Sequence, residues 1–481
     1  MGIPFNIRRR GFAWSLFKFI ELAALAALTL AGCTFPAPRR TPDGVRLTPL
    51  KTYSRFADWV RLRLAGLSGI GTGYDVDCYR MLYRTHDGAG SPIEVSGLLA
   101  LPRGAQARRL VSFQHGTTTT RGAVPSRLDS TGEAAAVVIA GNGYALIAPD
   151  YIGLGSSPGQ HPYLIAQDEA RAVTDMIAAA RGIEGVPDGP VFLSGFSQGG
   201  QASLAAMRTL ERDGEQVLGA APVAGPYDIR NAFGTALFGH APADSLYLAY
   251  MSWAYAGHYG HPLESVLTSD YARRARDLFE NPHSPQQIMA ALPANPRTMF
   301  NAVLLQAFDS GESYWFLDAL RENDVSDWSP RAPVRLYYGS ADIDVLPEQA
   351  LEAQRVMRAR GSDVTAVDVG PVDHDASIVV AGPLILAWLE SLDADGRVVQ
   401  KSGTIAAAAL PQPASDNTFD AANEMAAFNG TAVSYDANGD LNQRRDEYLR
   451  MGRAQTSGCN QRREQRGFRL RSVRAAREQN D

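Results

Sequence analysis

The sequence predicts an α/β fold: a mostly parallel central sheet with helices on both faces and a helical cap insertion. Three observations predict it. Short apolar runs at 110–113, 145–148 and 191–196 are each closed by a turn, as strands buried on both faces should be. Helical patterns at 166–181 and 198–211 alternate with those runs, which argues for parallel pairing. A long stretch rich in Tyr, Trp, Met and Phe, 226–332, has helical rather than alternating character and interrupts the series.

Bulk properties bound the answer first. The chain has 481 residues, 45% hydrophobic and 20% charged, which is enough apolar material for a large core. A net charge of −5 without a long basic run in the middle gives no reason to expect nucleic acid as a partner. Three cysteines, Cys33, Cys78 and Cys459, are too few for a disulfide framework.

The first 33 residues read as a targeting segment. Arg8, Arg9, Arg10 and Lys18 precede an apolar run at 22–31 that is too short to span a bilayer comfortably. The run ends in Leu30-Ala31-Gly32-Cys33, which resembles the bacterial lipoprotein lipobox and implies lipidation of Cys33 after cleavage before it. A plain export signal is the simpler alternative, and Arg9-Arg10-Gly11-Phe12 resembles a twin-arginine signal. The expectation is an exported protein anchored to a membrane by its N-terminal lipid. Thr34 after the cysteine resembles the sorting pattern for the outer membrane; without the lipid the protein would be periplasmic or secreted. Residues 34–50 carry Pro36, Pro38, Pro42 and Pro49 and read as an extended tether.

The core is expected over 51–225 and 333–395. Strands are predicted at 76–83, 93–101, 110–113, 145–148, 191–196, 219–224, 334–338 and 364–369. The insertion at 226–332 would cap the carboxyl ends of the strands, where open α/β sheets bind ligands. Its aromatics, Tyr247, Tyr250, Trp253, Tyr255, Tyr259, Tyr314, Trp315 and Phe316, either line an acyl or aryl pocket or form the cap's own core.

Gly195-Phe196-Ser197-Gln198-Gly199 is G-x-S-x-G between an apolar strand and a helix. Small flanking residues permit the tight, strained turn that exposes a serine nucleophile. The helix start aims free N–H groups at the site, so the Gln198 N–H is a candidate oxyanion donor. Alone, the motif is equally a glycine-rich strand-to-helix turn. Its partners decide the reading. In this kind of site the acid and then the histidine follow the serine along the chain. Asp342 lies in the loop leaving the strand at 334–338, where an imidazole-orienting carboxylate belongs, with Asp344 as the alternative. His374 is the only histidine after Asp342 and precedes a helix expected from Ala376. Gln114-His115-Gly116-Thr117 follows the strand at 110–113, and Thr117 is assigned as the second oxyanion donor. No metal cluster is expected in this region.

Together, His115-Gly116-Thr117, the stretch 148–155, His161-Pro162-Tyr163, Gly195 to Gly200 and Gly225-Pro226-Tyr227 resemble the secreted bacterial lipase/esterase family of α/β hydrolases, over about 74–392. The resemblance implies the α/β-hydrolase fold and carboxylic-ester hydrolysis without a cofactor. A serine peptidase of the same fold is the same-chemistry rival, and a catalytically inert surface or effector protein is the rival from another class.

The tail, 396–481, is expected to be weakly ordered. Phe419-Asp420-Ala421-Ala422-Asn423 and Tyr435-Asp436-Ala437-Asn438-Gly439 resemble a fragment of a YD (Rhs-type) repeat. A calcium loop over 436–447 is the competing reading, and Leu441 at the turn-glycine position argues against it.

Overall fold

The computed structural model describes residues 35–64 and 71–399, together with three short strands between 418 and 432. The chain divides into two units, Met1–Lys401 and Ser402–Asp481. In the second unit, Thr418–Phe419, Met425–Phe428 and Thr431–Ala432 pair antiparallel in sequence order. The lipobox with Cys33, Cys459, the second half of the YD-like fragment and the calcium-loop alternative lie outside the described residues.

Among the described residues of the first unit, nine strands form one mixed sheet: β1 (Arg46–Tyr53), β2 (Val76–His86), β3 (Pro92–Pro102), β4 (Leu110–Gln114), β5 (Ala145–Pro149), β6 (Val191–Phe196), β7 (Val217–Val223), β8 (Val334–Tyr338) and β9 (Val364–Asp368). Their spatial order is β1-β2-β3-β5-β4-β6-β7-β8-β9. β1, β2, β3 and β5 pair antiparallel, and every pair from β5 onward is parallel. β4 and β5 are buried along their whole length, which is why they read as unbroken apolar runs.

Helices cover both faces. They are α1 (Arg55–Leu64), α2 (Ser130–Ala135, extended by a π-helical turn to Ala140), α3 (Ala166–Ala180) and α4 (Gln198–Arg212). Between β7 and β8 the chain forms α5 (Ile229–Ala236), α6 (Asp244–Tyr259), α7 (Ser269–Glu280), α8 (Pro285–Ala291), α9 (Ala302–Ser310) and α10 (Trp315–Glu322). The core then resumes with α11 (Glu348–Ala359) and α12 (His374–Val399). Local chemistry sets several of these ends. Asp129 caps α2 by accepting from Gly132 N, and α6 and α9 stop at Gly260 and Gly311 in left-handed conformations that glycine adopts without strain.

The helices between β7 and β8 have a hydrophobic cluster of their own. Phe233 meets Phe300, Phe308 and Phe316 edge to face at 5.4–5.9 Å, and Tyr250 packs against Tyr163, Trp253 and Phe279. Most of the aromatics that could have lined a pocket are therefore spent on one another.

Two sequence expectations need correction. The described part of the expected 34–50 tether, residues 35–50, is not a free tether, because its end is edge strand β1 and its start is fastened to the body. Tyr79 Oη donates to Ala37 O at 2.8 Å, and Glu184 N donates to Arg40 O at 3.1 Å. Thr52 and Arg103 meet at the buried Asp77 carboxylate, each at 2.8 Å, holding β1 against β2 and β3. Pro49 is tolerated because β1 is an edge strand whose register shifts between Pro49 and Lys51. The last helix begins at His374 rather than Ala376 and runs to Val399, past the expected boundary at 395.

Candidate active site

Ser197 stands where β6 turns into α4, at φ 55° and ψ −118°, a conformation rare for a residue with a side chain. Its N–H continues the sheet ladder to Val223 O at 2.9 Å, and its carbonyl already accepts from Gly200 N. Glycines flank it because nothing larger fits. A Cβ at Gly195 would lie 2.2 Å from Gly199 O, and one at Gly199 would lie 2.0 Å from Gln114 O. The serine is thus held on a sharp turn by neighbours that cannot relax.

The acid and base loops meet this turn. His374 Nε2 lies 2.9 Å from Ser197 Oγ, and His374 Nδ1 lies 2.7 Å from Asp342 Oδ2. All three residues are buried. Asp342 Oδ1 accepts from the N–H groups of Asp344 and Val345, each at 3.0 Å, which fixes the carboxylate plane. The Phe196 ring packs on the imidazole at 4.8 Å, and Ser377 Oγ donates to His374 O at 2.6 Å. Close approach joins the two loops, since a Cβ at Gly339 would stand 2.3 Å from Val372 O. Asp344 contributes its backbone N–H to Asp342, while burial raises its own half-buried carboxyl above the usual range.

A cavity of about 280 Å³ opens over the serine, walled by Thr117, Phe196, Ser197, His374, Asp375 and, from α6, Tyr247. Gln198 N–H, at the first position of α4, and Thr117 N–H have no hydrogen-bond partner among the described residues. Thr117 Oγ1 is 2.9 Å from Tyr163 Oη, which steadies the loop. His115 packs locally, its ring against Tyr151 and its Nδ1 beside Gly116 O. Asp150 is a buried junction that accepts from Ser126 N at 2.9 Å and Ser96 Oγ at 2.6 Å. Among the described residues no group of three or more His, Cys, Asp or Glu could hold a metal ion.

One buried network was not legible in the sequence. Gln198 Nε2 lies 2.7 Å from Glu169 Oε1 and 2.8 Å from His161 Nε2, while His161 Nδ1 lies 2.8 Å from Ile152 O. The amide donates to Nε2, so the neutral Nδ1–H tautomer fits, and burial lowers the His161 pKa to about 4. Burial likewise raises the Glu169 pKa to about 8, against the opposing effect of hydrogen bonds from Gln198 and Leu164 N. His161, one of the residues that carry the family resemblance, does not line the catalytic cavity; it bonds the Gln198 side chain and Ile152 O. Glu169 gave no signal because it lies in an alanine-rich helix among ordinary charged neighbours.

Residues 132–395 match the family model described as secretory lipase. No curated protein matches the chain. A putative hydrolase from Legionella pneumophila is similar at 25% identity and a TM-score of 0.66, over 75% of this chain and 99% of that one. The ligand-bound rice cell wall degrading esterase LipA from Xanthomonas oryzae is similar at 25% identity and a TM-score of 0.62, over 76% and 98%. Candida antarctica lipase A shares the fold at 18% identity and a TM-score of 0.54, over 69% and 79%.

Proposed function

The chain belongs to the secretory lipase family, an α/β-hydrolase and carboxylic-ester hydrolase, and from that premise we propose covalent catalysis at Ser197. The observation that carries the proposal is the unbroken hydrogen-bonded chain Ser197–His374–Asp342. His374 Nε2 takes the Ser197 proton as Oγ attacks the ester carbonyl carbon. The Gln198 and Thr117 N–H groups receive the oxyanion of the tetrahedral intermediate. Collapse breaks the bond to the alcohol oxygen, which leaves with the proton from His374, and an acyl-enzyme remains. Water then attacks the acyl carbon and gives its proton to His374; collapse breaks the bond to Ser197 Oγ, which takes that proton back from His374 as the carboxylic acid leaves. Asp342 holds the imidazole in the Nδ1–H tautomer and stabilises its cation throughout.

No cofactor enters this scheme. The family match favours an ester over a peptide bond as the substrate, and the intact buried triad argues against an inert domain. The insertion between β7 and β8 acts as a cap over the catalytic cavity, supported by Tyr247 in the cavity wall. Membership of a secretory family agrees with export, and lipidation of Cys33 would hold the enzyme at a membrane.

A fluorophosphonate probe tests the core of the proposal. Wild type should be labelled at Ser197 and should cleave p-nitrophenyl butyrate, whereas Ser197→Ala should lose labelling and several powers of ten in turnover. Undiminished hydrolysis by Ser197→Ala, or faster cleavage of the matching amide, would defeat it.

A further inference from the structure

A second cavity adjoins the one over Ser197, and its walls are of a different kind. It measures about 290 Å³ and lies between α2 and α12, against β4 and β6. Phe113, Val138, Phe192, Ile378, Ile385 and Leu386 supply its main surfaces. The one hydroxyl contributed by the β6 wall, Ser194 Oγ, is already spent on Ala221 O at 2.8 Å. By contrast, the catalytic cavity is walled largely by His115, threonines, Asp129 and Asp375. Thr131 belongs to both walls, and Ile378 lies one helical turn beyond His374 on α12. The two cavities therefore meet at Thr131, beside the helix that carries His374.

The helix that forms its outer wall is unusually apolar toward water. No charged residue occurs between Asp375 and Glu390, and between them only Ser377, Ala381, Trp388 and Leu389 are buried. Val379, Val380 and Leu384 are 48%, 39% and 46% exposed. Apolar surface of this kind is normally covered by a ligand or partner. Gly382 faces the cavity, and a Cβ there would meet nothing within 4 Å, so the space is open at that point. Pro383 beside it lacks the N–H that would bond back along the helix, leaving a local break in the ladder.

We propose that the groove between α2 and α12 binds the acyl chain of the ester, making the enzyme selective for medium-length, linear aliphatic acyl groups. The assignment rests on the reading of Ser197 as nucleophile. The aromatics of the insertion are not available for the same task, because they pack on one another. A flexible alkyl chain has no polar group to satisfy and gains from each methylene it removes from water.

The test compares kcat/KM for p-nitrophenyl acetate, butyrate, octanoate and decanoate in wild type, Gly382→Leu and Gly382→Phe. Neither variant meets an obstacle at its first side-chain carbon, since Gly382 is helical and a Cβ there has nothing within 4 Å. Wild type should prefer octanoate or decanoate to acetate. The decanoate-to-acetate ratio should fall about tenfold or more in Gly382→Phe, and by less in Gly382→Leu. A wild-type optimum at acetate, or an unchanged ratio in Gly382→Phe, overturns the groove assignment and leaves Ser197 catalysis intact. Binding of a fluorescent medium-chain fatty acid to Ser197→Ala protein gives a readout independent of turnover. It should be lost when Gly382→Phe is added, and retention would overturn the assignment. Failure of wild type to cleave any ester would refute the nucleophile reading, while the binding measurement would still decide the groove.

Discussion

His374 Nδ1 lies 2.7 Å from one oxygen of Asp342, and the other oxygen of that carboxylate accepts two backbone N–H groups from Asp344 and Val345. The carboxylate is held on both sides, so the imidazole inherits its orientation from the loop after β8. Asp344 is two residues away and spends its N–H on that same carboxylate. Asp342→Asn should leave an amide donor able to select the wrong imidazole tautomer, lowering kcat by about 10⁴. Asp344→Asn should lower it by less than about tenfold. Equal losses in the two variants, measured on p-nitrophenyl butyrate, would contradict the assignment of roles.

The serine turn makes a prediction about stability. Gly199 is pressed against Gln114 O and Gly382 faces open space, so alanine should behave oppositely at the two sites. Gly199→Ala requires α4 or the β4 loop to move and should destabilise by about 1–3 kcal/mol or more. Gly382→Ala replaces glycine with a better helix former and should be neutral or slightly stabilising. Urea-unfolding midpoints measure both, and a stable, fully active Gly199→Ala protein would mean the turn is looser than these distances require.

The parts of this architecture that were legible in the sequence are those encoded locally. β4, β5 and β6 declare themselves because strands buried on both faces are short and continuously apolar. Ser197 is marked by glycines that its turn requires, and His374 by being the only histidine after Asp342. What was missed depends on contacts distant in sequence. β1 hides among four prolines and is a strand only because β2 offers it an edge. Glu169 acquires its character from burial against Gln198 and Leu164 N, which helical periodicity cannot report. The groove joins Phe113 to Ile385, which are far apart in sequence, so no window of sequence contains it.

Cys33 carries the prediction about location. A diacylglyceryl group supplies two buried chains at about 0.8 kcal/mol per methylene, enough for stable attachment. Wild type should fractionate with membranes, resist extraction by high salt and be released by detergent. Cys33→Ser should block lipidation and give an unprocessed or soluble form with unchanged kcat on p-nitrophenyl butyrate. Wild type found wholly in the soluble periplasmic or culture fraction would overturn the anchoring reading and leave the catalytic one untouched.

Glu169 should make stability depend on pH in a window that can be named. Its folded pKa is about 8 and its ordinary value is 4.5, so between these the folded chain keeps a proton that the unfolded chain has released. Stability from this group is complete below about pH 4.5, declines as pH rises, and is gone above about pH 8. His161 works in the opposite direction but at lower pH: with a folded pKa of about 4 against 6.5, its effect is a gain between about pH 4 and 6.5. Asp244, raised by burial to about 6, has largely finished titrating by pH 6.5. From pH 6.5 to 8 the decline due to Glu169, at 1.36 kcal/mol per pH unit, amounts to about 2 kcal/mol, and comparison with the variant removes the share of the other raised carboxyls, Asp150, Asp324 and Asp344. Glu169→Gln keeps the acceptor that faces Gln198 and Leu164 N and removes the titration. Between pH 6.5 and 8 the urea-unfolding free energy should fall by about that amount more in wild type than in the variant. Parallel declines in the two proteins would show that Glu169 is already ionised in the folded state, held by groups other than those that bond it.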